Sequence, residues 1–301
     1  MDTQKIVQNA LAAGYVVPAF NIPHLPMMEP ITRAVADEKS IGMIQVARLE
    51  WEKFEAESLE KVAELYGKYK KPGYTLLHLD HVPVVDEDHL EVDYLSIIRR
   101  ALKAGYQSVM VDGSRLPLEG NIAATKAAAE IAHAAGVPIE AELGAVMGHE
   151  TSQQSIPYEE IFAGKMGFTK VDEAVRFVKE SGCDWLSVAV GSVHGAIADN
   201  LLDKKKPAAK LDIQRIAELR SALGIPLVLH GGSGIVESYI TAGIKAGIAK
   251  INVGTELRQP YERALRETGS VEAAQESVYT RCRELIRDFL HTAGNAEILN
   301  K

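Results

Sequence analysis

The stretch "PLVLHGGSGIVESYITAGIKAGIAKINVGT", residues 226–255, reads as one folding unit. A short apolar run, Pro226–His230, ends in a glycine-rich turn that leads into a helical pattern. That pattern stops at Ala246-Gly247, and a second run, Ala249–Val253, ends in small polar residues. Strand, helix, strand in this order predicts a parallel pair joined by a helical crossover.

The same rhythm runs back through the chain. Further candidate strands are Val16–Phe20, Gly42–Val46, Tyr74–Leu79, Ser108–Val111, Ile139–Leu143 and Trp185–Val190. Amphipathic stretches lie between them: Ser58–Lys68, Tyr94–Ala104, Asn121–Ala135, Val171–Ser181 and Ile213–Leu223. Glycine closes helix after helix just before a strand, as at Gly105, Gly136, Gly182 and Gly224. Glycine takes the left-handed conformation that ends a helix without steric cost. Pro138 and Pro226 open strands, where no ladder donor is yet needed. Eight strand–helix units predict an α/β fold, a closed (β/α)₈ TIM barrel with extra C-terminal helices. An open doubly wound sheet is the competing architecture. No linker or low-complexity tract interrupts the pattern, so a single domain is expected over residues 1–301.

Composition narrows the partners. Apolar residues make up 47% of the 301, enough for a sizeable core. A net charge of −8 argues against a nucleic-acid partner, which selects for a basic face. It leaves room for a small anion, because a local pocket can be positive on an acidic protein. The first 20 residues have no basic-then-apolar leader pattern, and no uncharged apolar run is long enough to span a bilayer. Two cysteines, Cys183 and Cys282, form no disulfide framework. A cytoplasmic location without membrane association is the expectation.

Two stretches lose the rhythm, residues 144–170 and 195–210. Both follow candidate strands, which places them at the carboxyl-end mouth where barrel enzymes keep their chemistry. Three of nine histidines stand at strand ends: His81 in "HLDH", His194 in "GSVHG" and His230 in "LHGGSG". Three imidazoles at one barrel mouth can bind a divalent metal and leave a position open for substrate. Periodicity alone does not decide the first of these. On a strand His78 and Asp80 share a face and His81 takes the other, so His81 joins Asp80 only if the pleat has broken there. His24, His89 and His291 read as surface residues, and His133 as a helix residue in packing or solvent. His149 lies in the long loop beside Glu150.

The turn "HGGSG" brings backbone N–H groups close to an anion, with the Ser233 hydroxyl as a further donor. "NVGT" at 252–255 is again small and polar after the next strand. Barrels frequently build phosphate sites from the loops after strands seven and eight, which is where both fall. Asp80, Asp112, Glu142 and Glu150 are the carboxylates at strand ends or in the mouth loop. Such a group beside a metal-bound substrate can shuttle protons. The run Asp86–Asp88 reads as a solvated face.

At this point the chain resembles the class II, metal-dependent fructose-bisphosphate aldolase family. The pieces are "PAFN" (18–21), "HLDH" (78–81), "VMVDGS" (109–114), "EAELG" (140–144), "GSVHG" (191–195), "LHGGSG" (229–234) and "INVGTELR" (251–258). They stand in the family's order over nearly the whole chain. The resemblance implies a lyase in carbohydrate metabolism, of the glycolytic type, that cleaves a ketose bisphosphate such as fructose 1,6-bisphosphate to dihydroxyacetone phosphate and an aldehyde. It implies Zn²⁺, or another divalent metal, on His81, His194 and His230, with Asp112 and Glu142 close by and Glu142 at a second metal position. It implies Asp80 as the acid/base at the C4 hydroxyl and Glu150 as the loop acid at the enediolate carbon. Asn252 is implied near the enediolate. Gly195, Gly231, Ser233, Asn252 and Thr255 are implied as the cradle for the phosphorylated half of a sugar phosphate, with Asn21, Gly232 and Gly254 as further substrate-binding positions. A monovalent cation, Na⁺ or K⁺, near the phosphate and a homo-oligomer, dimer or tetramer, also follow from the resemblance.

Four positions depart from the family. Ala47, followed by Arg48, stands where a Ser is common; Arg115 replaces a His; Gly254 replaces an occasional Asp; and the segment after His194 lacks the usual Tyr-Lys-Gly-like element. Arg48 and Arg115 are candidates for a bidentate pair with an anionic group of the substrate. These changes open tagatose 1,6-bisphosphate or another ketose 1-phosphate as alternative substrates. Lys250 reads as structural or peripheral, since no Schiff base is required. Two rival classes remain. A metal-dependent hydrolase usually carries a His-x-His pair on the first strand, which "YVVPAFNIPH" lacks. A non-catalytic sugar-phosphate binder tolerates loss of Asp80 and the histidines, all of which are present.

Overall fold

The computed structural model describes residues 1–144, 158–192, 209–232 and 234–301. Eight parallel strands close into a barrel in sequence order: β1 (Val17–Asn21), β2 (Gly42–Ala47), β3 (Thr75–Asp80), β4 (Ser108–Val111), β5 (Ile139–Leu143), β6 (Trp185–Val188), β7 (Leu227–Leu229) and β8 (Ile248–Val253). β8 returns to β1, with Val17 opposite Lys250 and Ala19 opposite Asn252. That closure excludes the open doubly wound sheet. β6 and β7 are shorter than their apolar runs suggest. Ala189, Val190 and His230 stay buried after leaving the ladder.

The period of two along each strand divides the side chains between two environments. One set faces the helices: Ile44 and Val46, Leu77 and Leu79, Val109 and Val111, Leu186 and Val188 belong to one buried layer. The other set fills the barrel. Its lower end is apolar, with Val17, Met43, Leu76, Trp185, Val228 and Ala249. The first helix, Thr3–Ala13, closes that end with Ile6, Val7 and Ala10. Higher up the interior turns polar, since Gln45, His78, Ser108, Glu140, Ser187 and Lys250 are all fully buried. The barrel is therefore a plugged cup whose filling runs from hydrocarbon at the base to ionic groups beneath the mouth.

Helices follow the sequence pattern closely. Tyr94–Ala104, Val171–Ser181 and Ile213–Leu223 match the expected spans, and Gly105, Gly182 and Gly224 end them with positive φ. Beyond β8 the chain adds helices Thr255–Thr268, Val271–Glu284 and Ala296–Leu299. The buried Glu38 carboxylate ties this C-terminal part to the barrel by accepting from the Nε of both Arg283 and Arg287. No helix among the described residues is long and apolar enough to cross a membrane.

Candidate active site and metal centre

The backbone decides where His81 points. Asp80 is the last residue of β3, and His81 follows with a φ of 20°. The chain leaves the pleat there, and both side chains reach the mouth. His81 Nδ1 lies 3.2 Å from Asp112 Oδ2, at the end of β4, and 4.0 Å from Glu142 Oε2 on β5. The His81 and His230 rings approach to 4.4 Å between centroids at 67°. His230 Nδ1 lies 3.1 Å from Glu142 Oε2, and its Nε2 lies 2.7 Å from Glu140 Oε1.

These groups suit a divalent cation. Ligand atoms of Asp80, His81 and His230 all fall within 4.8 Å of one another, as do those of His81, Asp112 and Glu142. Imidazole with carboxylate is a donor set for Zn²⁺, Co²⁺ or Mn²⁺. The electrostatics agree. Burial works against a charged His81, yet the Asp80 carboxylate, the contact with Asp112 and the Glu142 charge push it up to about 10. His230 is also raised. Its burial and the neighbouring His81 oppose the charge, and Glu140 with Glu142 overcome them. A pocket that draws positive charge onto two adjacent imidazoles is a pocket in which a cation can take the place of those protons.

Asp80 sits in different surroundings. Asn21 Nδ2 donates to its Oδ2 at 2.9 Å, Gln45 Nε2 donates to the same oxygen at 3.1 Å, and Asn252 Nδ2 donates to Oδ1 at 2.9 Å. The three amides come from β1, β2 and β8. Burial alone disfavours the Asp80 anion, but His81 and Lys250 hold it down to about 2. A buried carboxylate ringed by N–H donors stays ionised and can accept a proton.

The remaining predicted residues divide. Gly231 and Gly232 follow His230, with Gly231 at φ 67°, and Gly254 caps the helix that Thr255 starts. A Cβ added at Gly254 meets the Asn21 side chain at 3.5–3.7 Å, so this position faces the Asp80 amides. Arg48 is already engaged by acids. Its Nη1 lies 3.4 Å from the buried Asp86 and its Nη2 3.9 Å from Glu52. Arg115 is exposed in the turn after β4 and has no acidic partner among the described residues. His149, Glu150, His194, Gly195 and Ser233 lie outside the described residues.

Several expectations are corrected. Asp86 is not a solvated acid, because it accepts from Asp88 N and Leu90 N and folds its loop back on itself. His24 is not a surface residue: it stacks on Tyr261 and bridges Glu55 and Glu262 at 2.9 and 3.0 Å. Residues missed altogether are Gln45, Glu50 and Glu140. The alternation of β2 and β5 places Gln45 and Glu140 inside the barrel, and that was the available signal. Glu50 accepts from Ala47 N at 2.8 Å in the first turn after β2. Burial, only partly offset by that N–H, pushes its carboxyl up to about 8.

The family described as "Fructose-bisphosphate aldolase class-II" matches residues 1–295. The chain belongs to that family. Its membership makes it a metal-dependent lyase of the aldolase type. Among solved structures, the YdjI aldolase from Escherichia coli K12 is 27% identical with a TM-score of 0.76, over 98% of each chain. A Coccidioides immitis protein assigned as a fructose-1,6-biphosphate aldolase is 25% identical with a TM-score of 0.77, again over 98% of each. Fructose-bisphosphate aldolase from Campylobacter jejuni, 18% identical with a TM-score of 0.70, covers 96% of this chain and 93% of its own and shares the fold.

Proposed function

We propose that this class II aldolase family member is a zinc-dependent enzyme that reversibly cleaves a ketose bisphosphate to dihydroxyacetone phosphate and an aldehyde. The observation that carries this reading is the Asp80 carboxylate, gripped by three amides and kept ionised by the charges of His81 and Lys250, directly beside the His81–His230 pair. His81 and His230 would hold the ion together with His194, and Asp112 and Glu142 would balance its charge. A divalent ion there supplies Lewis-acid polarisation of the ketose oxygens. Asp80 takes the C4 hydroxyl proton as the C3–C4 bond breaks, and the electron pair moves toward the C2 carbonyl. Asn252 and Asn21 hold Asp80 in line for that proton. Glu150 returns a proton to C3 of the dihydroxyacetone phosphate half. The phosphate lies against Gly195, Gly231, Gly232, Ser233, Gly254 and Thr255, where loop N–H groups and the Thr255–Thr268 helix start favour an anion. A monovalent cation beside that phosphate, a cytoplasmic location, a single domain over 1–301 and a dimeric or tetrameric assembly belong to the same reading.

Arg115, exposed and unpaired by acid among the described residues, is the better placed arginine for a distal anionic group, since Arg48 is held by Asp86. Tagatose 1,6-bisphosphate and a ketose 1-phosphate are the alternative substrates. A panel of these ketoses and fructose 1,6-bisphosphate, with and without chelator, tests the proposal. Triose phosphate is expected from at least one substrate, with loss on chelation and recovery on adding Zn²⁺. Turnover that survives complete metal removal, or net consumption of water, would overturn it.

A further inference from the structure

Beneath the Asp80 cage lies a charged residue that the proposed chemistry leaves without a task. Lys250 is fully buried inside the barrel on β8. Its Nζ lies 2.9 Å from Glu140 Oε2 and donates to Asn252 Oδ1 at 2.7 Å. The other Glu140 oxygen holds His230 Nε2 at 2.7 Å, and Asn252 Nδ2 donates to Asp80 Oδ1 at 2.9 Å. One ammonium therefore stands between the imidazole side of the site and the carboxylate side.

The directions of these bonds are fixed by chemistry. An ammonium can only donate, so the oxygen of the Asn252 amide must face Lys250. An ionised carboxylate can only accept, so the nitrogen of the same amide must face Asp80. Turning the amide over sets its oxygen against the Asp80 carboxylate and its N–H₂ against an ammonium, which is wrong at both ends. Asn252 is thus locked in one of its two orientations by a donor below and an acceptor above. Glu140 in turn keeps the ammonium at this depth, since a buried charge needs a partner.

We propose that Lys250 is a positioning residue: through Asn252 it fixes the amide donor that orients Asp80, while its partner Glu140 orients His230, so the pair sets the relative placement of base and metal ligand. This rests on the aldolase reading of the site. It assigns Lys250 no contact with substrate and no covalent step.

The test is a mutant cycle. Lys250→Met is expected to lower kcat about 10–100-fold, as outer partners of a site commonly do, with Asn252→Ala giving a similar loss. If Lys250 acts through Asn252, the Lys250→Met/Asn252→Ala double variant is within about twofold of Asn252→Ala alone, because coupled residues are non-additive. Losses that simply multiply overturn the proposal. Lys250→Met strands the Glu140 charge, so the paired Lys250→Met/Glu140→Gln variant, which removes both buried charges, is also measured with and without Asn252→Ala. Two readouts need no turnover. Co²⁺ titration is expected to give Lys250→Met an affinity within about threefold of the unmodified chain, whereas Glu140→Gln weakens it about tenfold or more. In ¹⁵N-asparagine-labelled protein the Asn252 side-chain amide signal is expected to shift in Lys250→Met; an unmoved signal overturns the proposal. Should the unmodified chain cleave no ketose phosphate, the aldolase reading fails, and the amide signal still decides whether Lys250 holds Asn252.

Discussion

The two sides of the barrel mouth solve opposite electrostatic problems with different residues. On the β1, β2 and β8 side, an anion, Asp80, is surrounded by neutral amides from Asn21, Gln45 and Asn252. On the β4, β5 and β7 side, two imidazoles are surrounded by the anions Asp112, Glu140 and Glu142. Amides stabilise a carboxylate without offering a charge that competes for its proton. Carboxylates stabilise a cation by lending charge, and they accept protons or a metal with equal readiness. A base and a cation slot stand side by side because amides orient Asp80 while His81 and Lys250 keep it ionised, and Asp80 in turn adds to the anions that favour positive charge on His81. Lys250 and Glu140 join the two sides from below, as a buried pair of opposite sign.

Substitutions that remove one side while sparing the other test this division. The largest effect is expected from Asp80→Ala, which should lower kcat about 10²–10⁴-fold, the usual worth of a positioned acid/base. Bound metal, measured by elemental analysis, should remain stoichiometric. Loss of metal together with activity would mean that the two sides are not separable. Next, His230→Ala should weaken divalent-ion affinity at least about 10–100-fold in a calorimetric titration. Thermal melting without added metal should fall as well, since removing the ring leaves the buried Glu140 and Glu142 carboxylates short of a partner.

A third prediction concerns pH and lies on the amide side. Glu50 has a folded-state value of about 8 against an ordinary 4.5. The folded protein keeps a proton that the unfolded chain has already released. The contribution of Glu50 to stability is therefore fully present below pH 4.5 and is lost as pH rises through 8. Glu50→Gln keeps an acceptor for Ala47 N–H and removes the titration. It should flatten the stability profile by about 2–5 kcal/mol across that window, read from urea unfolding at pH 5 and pH 8.5. A variant with the same pH slope as the unmodified chain would show that Glu50 is already ionised. The smallest effect is expected outside both sides. Arg48→Ala should change kcat/KM less than about threefold, since a partly exposed arginine already paired with acids has little binding left to lose. Arg115→Ala should raise KM for a bisphosphate more than for a ketose 1-phosphate, and equal changes would remove Arg115 from the site.

Much of this was legible in the order of residues. The strand–helix rhythm and the glycine stops announced eight units, and the chain closes into a barrel of eight. "HLDH" and "LHGGSG" pointed to one mouth, and His81 and His230 meet there. The charge run 86–88 misled, because Asp86 is recruited by local backbone N–H groups that a composition argument cannot see. His24 misled for a related reason. Its partners Glu55 and Glu262 come from places 31 and 238 residues away.

The sequence by itself determined the periodicities, and with them the barrel, the placement of polar residues at strand ends and the alternation that sends Gln45, Glu140 and Lys250 inward. Only the tertiary structure decided which of those residues meet. Barrel closure sets β8 against β1, which brings Asn252 to Asp80 across 172 positions and seats Lys250 on Glu140. A break in the pleat at one residue turned His81 toward the mouth. Such contacts depend on register and closure, which are set by the packing of all eight strands together and leave no mark in any local stretch of chain.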